Sequence, residues 1–184
     1  MRRELRLRRA SVSAAARAAA AQAAARSLCR LRIWKRARHV GIYLASGSEL
    51  PTKPVIEHAW GRAKRVYVPR VGSKGEMCFV ELRRGSRLHR NRYGIAEPAM
   101  TTRGRTAKQI DLLLAPLVGF DARGYRLGAG GGYYDRFLAG RRYHRPLCLG
   151  WALALQEIDA VPHDSWDQRL DGIVTEKGLV WPTG

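Results

Sequence analysis

The chain has 184 residues, 46% of them hydrophobic, and carries 34 Lys and Arg against 15 Asp and Glu, a formal net charge of +19. That length is enough for one domain with a real core, and no apolar run approaches the roughly 20 residues that span a bilayer. Three scattered cysteines, Cys29, Cys78 and Cys148, offer neither a disulfide framework nor the CxxC spacing of a zinc site, which points to a reducing cytoplasm.

Residues 1 to about 34 are dominated by Arg and Ala with no Pro or Gly, so a single helix is expected. Arg2 and Arg6 are four apart and share a face of that helix. HVGIYLA, from His39 to Ala45, has the β-branched and aromatic content of a strand. Pro51 suits the first turn of a following helix that continues through Val55, Ile56 and Ala59. Between them lies Glu49, just past the strand's carboxyl end, where open α/β sheets bind ligands. Taken alone, such a residue is more often a cap or turn.

RVYVPRV, from Arg65 to Val71, is a second strand closed by Pro69, and Glu76 to Leu82 a third near an edge. From Arg83 to about Lys108 the chain is polar and aperiodic, so a loop is expected, with a turn at Tyr93-Gly94. Leu112 to Leu114 is short and apolar and fits a buried strand. A turn on Asp121 and Gly124 follows it. Pro146 to Trp151 is another strand, Ala152 to Ile158 a short helical segment, and Val161 to Asp171 an acidic loop. DGIVT closes the series. Strands alternating with helices imply a single three-layer α/β domain with a mostly parallel sheet and a basic N-terminal helix.

The basic excess alone raises nucleic acid as a partner. It is mostly Arg, however, spread over clusters at Arg2–Arg9, Arg83–Arg92 and Arg141–Arg145, with no KH or RRM module beside it. Nucleic acid is therefore not the expected partner. The five histidines are scattered without HExxH spacing, and no GxSxG elbow is present.

The informative stretch is Asp111 to Leu138. After the apolar strand come Gly128-Ala129-Gly130-Gly131-Gly132, then Tyr133-Tyr134-Asp135-Arg136-Phe137-Leu138 with helical spacing, stopping near Gly140. Strand, glycine loop and helix start leave backbone amides bare toward an anion, most often phosphate. Glycine runs are also plain turns. Neither GxxxxGK[ST] nor GxGxxG is satisfied, the latter failing at Tyr133. What sets this run apart is its company: Arg126 before it, two tyrosines after it, and Asp135 in the first helical turn.

GFDARGYRLGAGGGYYDRFL resembles the signature of the 5-formyltetrahydrofolate cyclo-ligase family, the methenyltetrahydrofolate synthetases. That signature runs roughly G-x-[AG]-F-D-x-x-G-x-R-L-G-x-G-x-G-Y-Y-D, and from Gly119 to Asp135 the segment matches it without a gap, Leu117 standing at the first Gly. RRELRLRRA, HVGIYLASGSELPT, RVYVPRV, NRYGIAEP and WDQRLDGIVTE extend the likeness over nearly the whole chain.

The resemblance implies that Arg2 and Arg6, with Arg3 as an equally placed neighbour, contact ATP phosphates. The family often has Lys at the first position, so Arg2 keeps the charge and changes the reach. The nucleotide loop would comprise Arg126, Leu127, Gly128, Ala129, Gly130, Gly131, Gly132, Tyr133 and Tyr134. Leu44 and Glu49 match folate-contacting positions, with Tyr93 and Tyr133 lining the pocket. Asp135 and Asp167 match the positions that hold Mg²⁺, and Arg126, Tyr133 and Asp135 would carry catalysis. The implied reaction transfers the γ-phosphoryl of ATP to the formyl oxygen of 5-formyltetrahydrofolate; N10 then closes the ring and phosphate leaves. A cytoplasmic monomer is expected, acting on ATP and a folate with or without a glutamate tail, which the positive charge would favour. The alternative is a basic nucleotide- or RNA-binding protein on the same fold without this activity; the intact YYD, Glu49 and Asp167 speak against it. A related ATP-dependent enzyme acting on another one-carbon or pterin compound would share the loop and the fold.

Overall fold

A computed structural model describes residues 1–72, 76–91, 96–99, 104–141 and 145–183. The N-terminal stretch is not one helix but three: α1 (Arg2–Ala10), α2 (Ala14–Arg30) and α3 (Arg32–Arg36). Propensity alone would run α1 into α2, but their buried faces point at different partners. Leu5 of α1 packs with Val118, Leu127 and Val161, whereas Ala21, Ala24, Ala25 and Leu28 of α2 enter the main core. The break is capped by Ser13, whose Oγ accepts the Ala16 amide at 3.2 Å.

The strands are β1 (His39–Ile42), β2 (Arg65–Val71), β3 (Met77–Leu82), β4 (Leu88–Arg90), β5 (Ala96–Pro98), β6 (Leu112–Ala115), β7 (Gly119–Phe120), β8 (Arg126–Leu127), β9 (Leu147–Trp151), β10 (Gly172–Thr175) and β11 (Gly178–Val180). Seven of them form one sheet in the order β11-β10-β9-β6-β1-β2-β3. The five central strands, β10 to β2, are parallel to their neighbours, while β11 and β3 add antiparallel at the edges. Helix α4 (Lys53–Gly61) lies with α2 on one face and α5 (Tyr133–Ala139) on the other. The alternation along β6 shows both layers: Leu112 and Leu114 face α2 and α4, Leu113 and Ala115 face α5. The mostly parallel α/β architecture is as expected.

Several local expectations change. Pro54, not Pro51, sits in the first turn of α4; the Pro51 carbonyl instead accepts the Trp151 indole N–H at 3.3 Å. Pro69 lies inside β2, beyond the reach of β1, so its missing donor costs the parallel ladder nothing. The polar stretch after Arg83 contains the antiparallel pair β4 and β5, with all of β4 exposed, so no apolar alternation marked it. The turn expected at Tyr93-Gly94 lies outside the described residues. The helical segment expected after Ala152 shrinks to one 3-10 turn at Ala154–Gln156, and β11 has no counterpart in the sequence reading.

Neighbouring strands β1 and β6 connect in opposite directions. From β1 the chain moves outward to β2 and β3; from β6 it moves the other way to β9 and β10. Such a reversal opens a crevice at the strands' carboxyl ends, the usual ligand position in open α/β sheets.

Candidate active site

The loop leaving β6 runs into the β7–β8 hairpin, held by one buried carboxylate. Asp121 accepts the amides of Arg123, Tyr125 and Val161 at 3.0–3.1 Å and the Arg123 guanidinium at 2.8 Å. Gly124 has φ +87°, and a Cβ there would meet Pro182 at 2.7 Å and the Leu170 carbonyl at 2.9 Å. No other residue fits that turn without displacing its neighbours. The hairpin aims β8 at the glycine loop.

Gly132 caps α5 in the left-handed region (φ +63°), and no side chain caps the helix. A Cβ added at Gly128 or Gly130 would meet nothing within 4 Å, so the outer side of the loop is open. Behind the loop, Phe137 and Leu138 are buried, with Phe137 and Phe79 4.9 Å apart between ring centroids. Tyr134 packs edge-on to Phe79, while its hydroxyl is buried and meets no hydrogen-bond partner among the described residues. Burial pushes that phenol's pKa far up. Tyr133 is half-buried, with the Arg136 guanidinium over its ring at 5.0 Å.

Arg126, expected at the phosphates, and Asp135, expected to hold Mg²⁺, meet each other: Nη2 to Oδ1 is 2.6 Å, with the Arg126 side chain 4% exposed. Arg126 Nη1 also donates to the Gln168 carbonyl at 2.6 Å, and the Gln168 amide donates to Asp135 at 3.1 Å. The acidic loop is thereby clamped to α5. Asp167, expected beside Asp135, is the residue preceding Gln168, and its Oδ2 accepts the Asp164 amide at 2.8 Å.

The other half of the crevice follows β1. Thr52 Oγ1 donates to the Tyr43 carbonyl at 2.9 Å and accepts the Ala45 amide at 3.3 Å, closing the loop between them. Within it Ser46 to Glu49 form a turn, the Ser46 amide donating to Glu49 Oε2 at 2.9 Å. Burial raises the Glu49 carboxyl's pKa, against the Ser46 amide and the Arg9 charge. Tyr43, Tyr134 and Arg9 all act on or feel Glu49 electrostatically, and Tyr134 in turn feels Arg126. Helix α1 joins the β1 loop to the glycine loop by hydrogen bonds, Arg9 to Ser48 and Arg2 to Gly128. Leu44 borders a groove of about 350 Å³ beside α4, with Trp60, Leu82 and Leu88.

Helix α1 lies across this crevice. Arg2 Nε donates to the Gly128 carbonyl of the glycine loop at 3.0 Å. Arg6 shares that face, but Arg3 lies about 100° round the helix; both are exposed. Arg9 is buried and was not singled out by sequence reasoning. Its helical phase relative to Arg2 and Arg6 was the available signal. Tyr93 lies outside the described residues.

The donor set limits what ion the site can take. Among the described residues no three His, Cys, Asp or Glu come together. Asp135 and Asp167 offer at most two carboxylates, which fits Mg²⁺ arriving with phosphate oxygens and keeping its waters, not an all-protein cage. No described helix is long and apolar enough to cross a membrane.

A model of the 5-formyltetrahydrofolate cyclo-ligase family matches residues 1–176. The chain is similar to the 5-formyltetrahydrofolate cyclo-ligase of Escherichia coli K12, 37% identical over 148 residues, covering 79% of this chain and 81% of the relative. It is 31% identical over 143 residues to that of Haemophilus influenzae, covering 76% of each. Among solved structures, the 5,10-methenyltetrahydrofolate synthetase of Aquifex aeolicus superposes with a TM-score of 0.86 at 27% identity, covering 100% of this chain and 91% of that one. The synthetase of Mycoplasma pneumoniae gives 0.76 at 26%, covering 95% and 96%.

Proposed function

The chain belongs to the 5-formyltetrahydrofolate cyclo-ligase family, a family of enzymes, and on that premise we propose that it closes 5-formyltetrahydrofolate to 5,10-methenyltetrahydrofolate at the expense of ATP. The observation that carries this reading is the convergence of the glycine loop, α1 and the Glu49 turn on one crevice at the sheet's topological switch point.

The glycine loop and Arg2, with Arg3 and Arg6 nearby, receive the triphosphate. Glu49, together with Leu44, Tyr93 and Tyr133, receives the pterin, whose N–H groups suit a carboxylate acceptor. The γ-phosphoryl passes to the formyl oxygen, N10 attacks the activated carbon, and phosphate leaves as the ring closes. This chemistry needs alignment and charge neutralisation more than covalent help. Arg126 orients Asp135 through their ion pair and shares the clamp on Gln168. Asp135 and Asp167 would hold Mg²⁺, which supplies charge neutralisation at the phosphates. The Tyr134 hydroxyl, buried behind the glycine loop, has no hydrogen-bond partner among the described residues. The 184 residues act as one domain, as a monomer in a reducing cytoplasm, in keeping with three free cysteines.

The test mixes purified protein with MgATP and 5-formyltetrahydrofolate and follows the methenyl chromophore alongside ADP and phosphate. Equal amounts of all three products are expected. Well-folded protein that yields no ATP-dependent chromophore would remove this reading.

A further inference from the structure

Arg9 is 9% exposed, yet no carboxylate lies within ion-pairing distance of it among the described residues. Instead its Nε donates to Ser48 Oγ at 3.1 Å and its Nη1 reaches the Leu117 carbonyl at 3.4 Å. Ser48 belongs to the turn after β1, and Leu117 to the loop after β6, so one guanidinium ties together the two walls of the switch-point crevice. The Leu117 carbonyl is fixed from the far side by Gln156 Nε2 at 3.0 Å. Burying an unpaired guanidinium is costly, and the planar fork suits a role in holding two segments at once. Arg2, two turns earlier on the same face of α1, bonds the glycine loop. One short helix thus touches both halves of the site.

We propose that Arg9 is a positioning residue that sets the Glu49 turn against the β6 loop and so shapes the pterin half of the site, while the nucleotide half depends on Arg2. This rests on the reading that Glu49 contacts the pterin. Glu49 is faced by the Arg9 guanidinium from α1, by the Tyr43 phenol just past β1, by the Tyr134 phenol from α5, and by the Ser46 amide and hydroxyl in its own turn. Arg9 is the one cation among them, so its loss favours a protonated Glu49 as well as a displaced one.

Three variants, Arg9→Met, Arg9→Lys and Glu49→Gln, are compared in steady-state kinetics, with folding checked by thermal melts. The Glu49 carboxyl is also titrated by carbon NMR in substrate-free protein. Arg9→Met should raise KM for 5-formyltetrahydrofolate roughly tenfold while leaving KM for ATP within about twofold. It should also move the Glu49 titration and the acid limb of kcat/KM to higher pH. Arg9→Lys keeps the charge and loses the fork, so the titration should return toward wild type while the folate KM stays raised. Equal losses toward both substrates with an unmoved Glu49 titration would make Arg9 merely structural and overturn the inference. Should Arg9→Met not fold, an Arg9→Lys variant with wild-type folate KM would overturn it equally. Normal folate use by Glu49→Gln would overturn the pterin assignment itself, a failure told apart by the substrate-free titration, which reports Arg9 and Glu49 alone.

Discussion

The two edges of the sheet use carboxylates in opposite ways. At the amino-terminal edge, Asp111 begins β6 by accepting the Arg38 and His39 amides at 2.9 and 2.8 Å, and Asp171 precedes β10 by accepting the Cys148 amide at 2.7 Å and Arg141 at 3.0 Å. Each aspartate pins the start of the neighbouring strand. Burial works against the Asp111 anion, but the two amides and His39 outweigh it and hold its pKa below the usual range. At the carboxyl-terminal edge Glu49 is half-buried with weaker compensation, and its pKa is raised. The satisfied carboxylates hold the scaffold together; Glu49, less compensated and at the carboxyl ends of the strands, is the one we propose meets a ligand.

That contrast can be broken by mutation. The largest effect is expected on the scaffold: Asp121→Ala removes a fully buried, multiply bonded anion and leaves Arg123 without its partner. A loss of about 3–5 kcal/mol is expected in urea unfolding. Next, Asp135→Asn should lower Mg²⁺-dependent turnover about a hundredfold, with a smaller loss of stability than Asp121→Ala: buried Arg126 loses its anion, but the amide oxygen still accepts from the guanidinium. Comparable losses in both would make Asp135 a structural clamp. Asp111→Asn should then cost about 1 kcal/mol at neutral pH without changing kcat/KM.

The sign of the pH dependence separates the edges most finely. Asp111 has a depressed folded-state pKa, so its stabilisation is present above the ordinary carboxylate value of 3.8 and is lost as pH falls below it. Glu49 is the reverse: its folded-state pKa is raised above 4.5, so its ionisation weakens the fold as pH rises through that range. Glu49→Gln should therefore leave the ligand-free protein slightly more stable at pH 7 while impairing folate use, and Asp111→Asn should flatten the acid limb of the stability curve. Melting midpoints across pH 3 to 8 would check both signs. Smallest of all, Arg2→Ala removes one exposed contact to Gly128 and should raise KM for ATP severalfold at most, an increase that salt should erase.

The sequence made β1, β2, β6, β9 and β10 legible because buried parallel strands are short apolar runs. It also showed the glycine loop and α5, whose residue order specifies a turn and a helix start locally. It did not show the break after Ala10, because Ala and Arg favour helix on either side and only the two separate packing partners of α1 and α2 require the turn. Strands β4 and β11 were hidden for a related reason: exposed or half-buried edge residues carry no alternation.

Among site residues, Glu49 could be placed at a strand's carboxyl end, and Arg126, Asp135 and Asp167 in suitable segments. Their pairing could not be foreseen. That Arg126 spends its donors on Asp135 and Gln168 follows from the acidic loop folding back over α5, a contact between segments more than 30 residues apart.

By itself, the order of residues determined the strand series, the tight turn at Gly124 and the chemistry available at the glycine loop, since each depends on neighbours within a few positions. Only the tertiary structure decided which charges are spent and which stay available. Those choices belong to hydrogen bonds that span the sheet's switch point, as when Arg9 joins Ser48 to Leu117, and burial sets their strength by removing the competing water.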